Sequence, residues 1–95
     1  MVKYELALVI STKVEDEVRD ATLDKIKDII EKAGGTITNV DDWGKRKLAY
    51  EIQKMPEGYY YFIAFDAETT VPAEIESRVR IVDNVIRYLV VRQDA

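Results

Sequence analysis

Four segments of the chain alternate apolar and polar residues with a period of two, which is the pattern of strands with one buried face. These segments are Val2 to Ile10, Thr36 onward with a resumption at Lys45, Tyr59 to Phe65, and Val85 to Arg92. In the second segment the pair Asp41-Asp42 interrupts the pattern, and Gly44 predicts a bulge or bend before the strand resumes.

Two segments between the strands have the 3.6-residue apolar period of amphipathic helices. In the first, apolar residues recur from Val14 to Ala33. Acidic residues in its first turn suit the helix dipole, and Gly34-Gly35 ends it with a residue free to turn left-handed. In the second, Pro72 stands early, where no N–H is needed, and the apolar positions continue to Val82. The first helix therefore has an acidic outer face.

The elements follow in the order strand, helix, strand, strand, helix, strand. Right-handed crossovers place both helices on the same side of a sheet formed by these four strands. This order predicts an α+β, ferredoxin-like βαββαβ fold, with a four-stranded antiparallel sheet and two helices on one face. A length of 95 residues predicts a single domain spanning residues 1–95.

The composition excludes several kinds of chemistry. The chain has no cysteine and no histidine, which removes disulfides, thiolate metal sites and the usual general base near neutral pH. No apolar run approaches the roughly 20 residues that span a bilayer, and Lys3 and Glu5 interrupt the pattern of a signal peptide. We therefore expect a cytoplasmic protein with no catalytic residues, metal, cofactor, small-molecule substrate or membrane partner.

The net charge of −4 argues against nucleic-acid binding, but the charges are unevenly distributed. Residues 1–44 contain ten acidic and six basic residues, whereas residues 45–95 contain eight of each. The acidic excess lies mostly on the first helix, so the second half can carry a local basic patch. The triplet Lys45-Arg46-Lys47 at the predicted bend is the densest group of cations.

Strand alternation divides the residues of the sheet between a core side and an open side. The core set is Tyr4, Leu6, Leu8, Leu48, Tyr50, Ile52, Tyr59, Tyr61, Ile63, Phe65, Ile86, Tyr88 and Val90. The third strand is apolar in both parities, and we assign Tyr60 and Phe62 to the open side, among Lys3, Lys47 and Arg87. We interpret Trp43 as a lid packed on the core rather than as a stacking platform.

Aromatic strand residues beside cations are a recurring way to stack bases and hold phosphates. The alternative is a sheet face whose aromatic residues only satisfy strand propensity. Residues Gly58 to Phe62 loosely match the Gly-aromatic-x-aromatic part of the RNA-recognition-motif signature. Two other functions stay open: independent binding of single-stranded RNA, and a freestanding ferredoxin-like protein- or ligand-binding module that self-associates through its open sheet face.

Several runs resemble one family along essentially the whole chain. They are Tyr4-Glu5, the run from Gly44 to Lys54 that contains Leu48-Ala49-Tyr50, Gly58-Tyr59-Tyr60, and the closing run from Asp83 to Val91. In these runs the chain resembles the bacterial small-subunit ribosomal protein six family.

The resemblance implies a non-enzymatic structural protein of the cytoplasmic ribosome. It implies binding to the central domain of small-subunit ribosomal RNA, jointly with small-subunit ribosomal protein eighteen. The candidate RNA- or partner-binding residues, from the resemblance and the cationic corner together, are Lys3, Lys45, Arg46, Lys47, Tyr60, Phe62, Arg87 and Arg92.

Overall fold

The structure is a computed structural model that describes residues 1–46 and 58–93, with the side chain of Arg46 excepted. The elements are β1 (Val2–Ser11), α1 (Asp16–Lys32), β2 (Thr36–Arg46), β3 (Gly58–Ala67), α2 (Val71–Val79) and β4 (Val85–Arg92). The strands form one antiparallel sheet in the order β2-β3-β1-β4. The predicted ferredoxin-like fold is confirmed.

Both helices pack on the same face of the sheet. The core joins Leu6 and Leu8 of β1 and Ile63 and Phe65 of β3 to apolar side chains of the helices. The helical members that are fully buried are Ile26 and Ile30 of α1 and Ile75 and Val79 of α2. Each such side chain stabilises the fold by about 1.5–3 kcal/mol relative to its exposure to water, so this face carries most of the stability.

The first helix begins two residues later than the apolar period predicts. Its N-cap is Glu15, which makes no side-chain capping bond. At the other end Gly34 has a φ of 104°, which confirms the predicted left-handed stop. Gly35 follows with its N–H donating to the carbonyl of Ile30 at 2.9 Å, so β2 starts directly beneath the helix. The second helix ends at Val79 rather than Val82, although Val82 remains buried.

The predicted interruption of β2 at Asp41-Asp42 is wrong, because both residues lie inside the strand. They pair with Phe62 and Tyr61 of β3, respectively. The bulge predicted at Gly44 is confirmed by a shift in register between Asp42 and Gly44. The predicted core positions Leu48, Tyr50 and Ile52 lie outside the described residues.

The assignment of Ile86 to the core is also wrong, since its side chain is 40% exposed. The pairing of β1 with β4 shifts between Val9 and Ile10, so that Val9 pairs with Arg87 and Ile10 with Val85. One extra residue in β4 leaves Ile86 out of the alternation, and Val85 packs against the core instead. Tyr88 and Val90 pack against the core, as predicted.

Polar contacts also tie α1 to the sheet and to the turn before β4. The guanidinium of Arg19 lies 4.3 Å from the ring centroid of Tyr59, which is cation–π geometry. The amide of Asn84 donates to the hydroxyl of Thr22 at 3.2 Å, and that hydroxyl donates to the carbonyl of Val18. These contacts link α1 to β3 and to the turn before β4.

Candidate functional site on the open sheet face

The open face is the side of the sheet opposite the helices. Paired residues of neighbouring antiparallel strands point to the same side of the sheet. The strand pairing therefore identifies the open-face residues, and residues paired across the strands form a row. The open-face residues are Lys3, Glu5, Ala7 and Val9 of β1, Asn39, Asp41 and Trp43 of β2, Tyr60, Phe62, Ala64 and Asp66 of β3, and Arg87, Leu89 and Val91 of β4.

The central row of the open face is apolar. Phe62 pairs with Ala7, and Ala7 pairs with Leu89, which is 58% exposed. On the other side of Phe62 lies Trp43, with ring centroids 4.8 Å apart and planes inclined at 58°. Val91, in the next row, is also exposed. An apolar strip therefore runs across all four strands, and it is open to solvent at both ends.

Trp43 is not the core lid that we expected from the sequence. It is 50% exposed and contacts Phe62 on the face away from the helices. A bulge follows it directly, where Gly44 has a φ of 70° and its N–H donates to the carboxylate of Asp42 at 2.8 Å. The register of β2 shifts between Ile37, which pairs with Phe65 on the core side, and Asn39, which pairs with Ala64 on the open face. Because this inserted residue reverses the alternation, Asn39, Asp41 and Trp43 lie on the open face.

Tyr60 pairs with Val9 in the open-face register, as predicted, but its side chain is only 5% exposed. Val9 is buried as well. The sequence contains a signal for this burial, the consecutive apolar residues Leu8, Val9 and Ile10. A strand end whose successive residues are all apolar is typically buried on both faces. Tyr60 is therefore not positioned to stack a base, whereas Phe62 is only half-buried.

The predicted cations fall at two ends of the sheet. Arg87 is exposed in the row of Val9. Lys45 is also exposed and lies at that same end, but it pairs with Tyr59 and so has the register of the core side. The backbone of Arg46 pairs with Gly58 beside them. Lys47 lies outside the described residues. This end therefore collects the positive charge that the sequence places around the bend.

Lys3 and Arg92 lie at the other end. Lys3 pairs with Asp66. It lies six residues along β1 from Val9, so Lys3 and Val9 are about 20 Å apart. Arg92 is exposed and pairs with Tyr4, so it has the register of the core side. The single ring of cations expected around Tyr60 and Phe62 is therefore two separate groups. In the group around Lys3 the nearby carboxylates of Glu5 and Asp66 offset the positive charge.

The charged residues of the helix side are arranged differently. Most described cations there pair with a carboxylate on their own helix. Examples are Arg19 with Asp16 at 3.2 Å, Lys32 with Asp28 at 3.1 Å and Arg78 with Glu74 at 3.6 Å. Within residues 1–46 and 58–93, no such ion pair involves Arg87. The helix side is thus locally neutralised, whereas Arg87 presents its charge to solvent.

Burial shifts one titratable group on the core side. The pKa of Tyr61 is raised above 10.0, first because its phenol is buried and second because the carboxylate of Asp42 lies near it. Arg19 opposes the shift. The phenol of Tyr61 is therefore neutral at physiological pH and serves packing.

Concavities also lie away from the apolar strip. One of about 330 Å³ lies between α1 and the turn before β4, around Thr22 and Asn84, and one of about 240 Å³ lies near Lys3 and Asp66. Among the described residues, no group of three or more acidic side chains is arranged to hold a metal ion. No helix in the described part of the chain has the length and apolar character needed to cross a bilayer.

Comparison with known proteins identifies a family. The family model described as Ribosomal protein S6 matches residues 3–92. A small ribosomal subunit protein bS6 from Alkaliphilus oremlandii is 50% identical over 92 residues, covering 97% of each chain. One from Clostridium botulinum strain 657 is 46% identical over 94 residues, covering 99% of this chain and all of the relative.

Structural similarity leads to the same group of proteins. A crystal structure of 30S ribosomal protein S6 from Thermotoga maritima superposes with a TM-score of 0.87 at 34% identity. The superposition covers 97% of this chain and 87% of that one. The family match spans nearly the whole chain and agrees with the observed sheet, helices and strand order, and we conclude that the chain belongs to the ribosomal protein S6 family of the small ribosomal subunit.

Proposed function

We propose that this protein is a structural component of the cytoplasmic ribosome and binds the central domain of small-subunit ribosomal RNA jointly with small-subunit ribosomal protein eighteen. Membership of the S6 family supports the ribosomal role. The observation that carries the proposed binding mode is the open face. It combines exposed apolar side chains, Trp43, Leu89 and Val91, with the exposed cation Arg87 at one end.

In this mode the two classes of side chain have separate roles. The β4 end of the apolar strip, Leu89 and Val91, packs against protein, because an exposed apolar patch gains most from a surface that is itself apolar. The cations at the end of the sheet near Arg87 contact phosphates. A chain of net charge −4 is a poor RNA binder alone, so a basic protein partner supplies most of the phosphate neutralisation.

The decisive experiment mixes the purified chain with protein eighteen and a central-domain RNA fragment. A ternary complex is expected at low salt, with weak or no RNA binding by this chain alone. Failure of folded components to form the complex would refute the proposal. Tight RNA binding without the partner would favour the independent single-strand binder instead.

Arg87→Ala tests the phosphate role, and Arg80→Ala is its matched control. Both arginines are exposed, but Arg80 follows α2 on the helix side, and Arg87 lies on the open face. Arg87→Ala should weaken RNA binding by the protein pair roughly tenfold and lower the slope of log affinity against log salt by about one. Arg80→Ala should change neither. Equal effects of the two variants would refute the assignment of the open face.

A freestanding module that self-associates through its sheet remains the competing function. It predicts stable dimers of the isolated chain and no association with ribosomal small subunits. Sedimentation of the chain alone, and of the chain with small subunits, separates the two functions.

A further inference from the structure

The contact between Trp43 and Phe62 lies on the open face, outside the core. Trp43 is the only tryptophan of the chain, and half of its surface is exposed. Its ring is nevertheless held in place, because the bulge fixes its backbone and Phe62 supports its ring at 4.8 Å. A large, exposed and immobilised aromatic side chain provides a ready surface for stacking.

The neighbouring charges indicate what stacks there. Asp41 pairs with Phe62 on the same face, two residues before Trp43. A carboxylate repels a phosphate, so the nucleotide group nearest the platform is the base and not the backbone. An ionised carboxylate only accepts hydrogen bonds, so it suits a base that carries an exocyclic amino group.

We propose that Trp43 and Phe62 form a stacking platform for one unpaired base of the small-subunit ribosomal RNA, and that Asp41 accepts a hydrogen bond from the exocyclic amino group of that base. This inference rests on the proposed function, because it specifies which group of the ribosomal RNA binds at the Trp43 end of the open face. It predicts that an adenine, cytosine or guanine is bound better than a uracil, which has no amino group.

The fluorescence of Trp43 reports directly on the platform. RNA is added to the preformed pair of this chain and protein eighteen, and the same titration of the Trp43→Phe variant supplies the partner's background. Base stacking on the indole should quench the Trp43 signal at the RNA step. Quenching or a spectral shift that is complete at the protein-pairing step, with none on RNA addition, would show that protein covers Trp43 and would overturn the proposal.

Affinity measurements then test the contribution of each residue. Loss of one stacked base corresponds to a roughly 5- to 150-fold loss of affinity. Trp43→Ala should therefore weaken RNA binding within this range and leave the salt slope unchanged, and Trp43→Phe should retain most of the affinity. Circular dichroism and association with protein eighteen confirm that each variant is folded. Full affinity in folded Trp43→Ala would overturn the platform alone, whereas no ternary complex with the unaltered chain would overturn both proposals.

The sign of the effect of Asp41→Ala tests the proposed hydrogen bond. If Asp41 accepts from the base, Asp41→Ala weakens RNA binding several-fold and reduces the preference over uracil. If Asp41 only repels phosphates, removal of its charge strengthens binding. A gain of affinity would therefore overturn the role of Asp41.

Discussion

The two faces of the sheet are formed by the same strands but differ in how they treat apolar side chains. On the helix-covered face Leu6, Ile63 and Phe65 are fully buried, and cations on the helices are paired with carboxylates. On the open face Leu89 and Val91 are about half exposed. Because successive side chains of a strand point to opposite faces, the same strands form both a buried surface and an exposed one. The covered face contains most of the buried apolar side chains, whereas Leu89 and Val91 of the open face are exposed, so we expect substitutions at these two positions to change stability little.

The largest expected effect is on the free energy of unfolding, and it is seen by truncating one aliphatic residue on each face. Ile63→Ala removes a fully buried side chain from the core and should lower the free energy of unfolding by about 2–5 kcal/mol. Leu89→Ala removes an exposed one and should lower it by less than about 1 kcal/mol. Urea unfolding measures both. A similar loss in the two variants would break the division between the faces.

A second comparison uses two glycines, one beneath α1 and one in the bulge. A Cβ on Gly35 would lie 2.8 Å from Cγ2 of Ile30 and 3.2 Å from Cδ2 of Phe65, so Gly35→Ala should destabilise the fold by about 1–3 kcal/mol. A Cβ on Gly44 would meet nothing within 4 Å, but its φ of 70° disfavours alanine by about 1–2 kcal/mol.

The two glycine variants should also differ in function. Gly44→Ala strains the bulge directly after Trp43, so it should alter the emission of Trp43 in the free protein. Gly35→Ala should leave that emission unchanged at temperatures where the variant is folded. An unaltered Trp43 spectrum in Gly44→Ala would show that the bulge geometry tolerates a side chain and does not depend on glycine.

The smallest effect concerns the pH dependence of the covered face. The pKa of Tyr61 is raised in the folded state, so its neutral phenol contributes stability that is fully present below about pH 10. This contribution is lost as the pH rises through the higher pKa of the folded state. Urea unfolding between pH 8 and pH 11.5, roughly the range around the reference pKa of tyrosine, should show this loss.

Tyr61→Phe should remove this part of the alkaline decline. Tyr88→Phe, which changes a half-buried tyrosine of β4, is the control for loss of a phenolic hydroxyl. An alkaline decline as steep in Tyr61→Phe as in the unaltered chain would contradict the assignment to Tyr61.

The covered face could be predicted from the sequence because period-two and 3.6-residue patterns record burial directly. Leu6, Leu8, Tyr61, Ile63 and Phe65 were assigned to the core and are buried there. The helix stop at Gly34 was predicted for the same local reason, since glycine tolerates its φ of 104°.

The open face could be predicted only in part, because its details depend on pairing between strands. The bulge at Gly44 was predicted, but the side on which Trp43 emerges depends on the register of β2 against β3. Ile86 was misassigned because the shift of β4 against β1 leaves no local signal in the sequence of β4. The separation of Lys3 from Arg87 likewise follows from strand order and direction, which place them at opposite ends of the sheet.

The central claim is that the open face, and not the helix side, is covered in the small subunit. Hydroxyl-radical footprinting of side chains, in the free chain and in assembled small subunits, tests this claim most directly. Leu89 and Val91 report on the open face, and Ile81, which is 75% exposed beyond α2, reports on the helix side. If the open face is covered, Leu89 and Val91 should be strongly protected while Ile81 continues to be oxidised. Protection of Ile81 with unchanged oxidation of Leu89 and Val91 would contradict it.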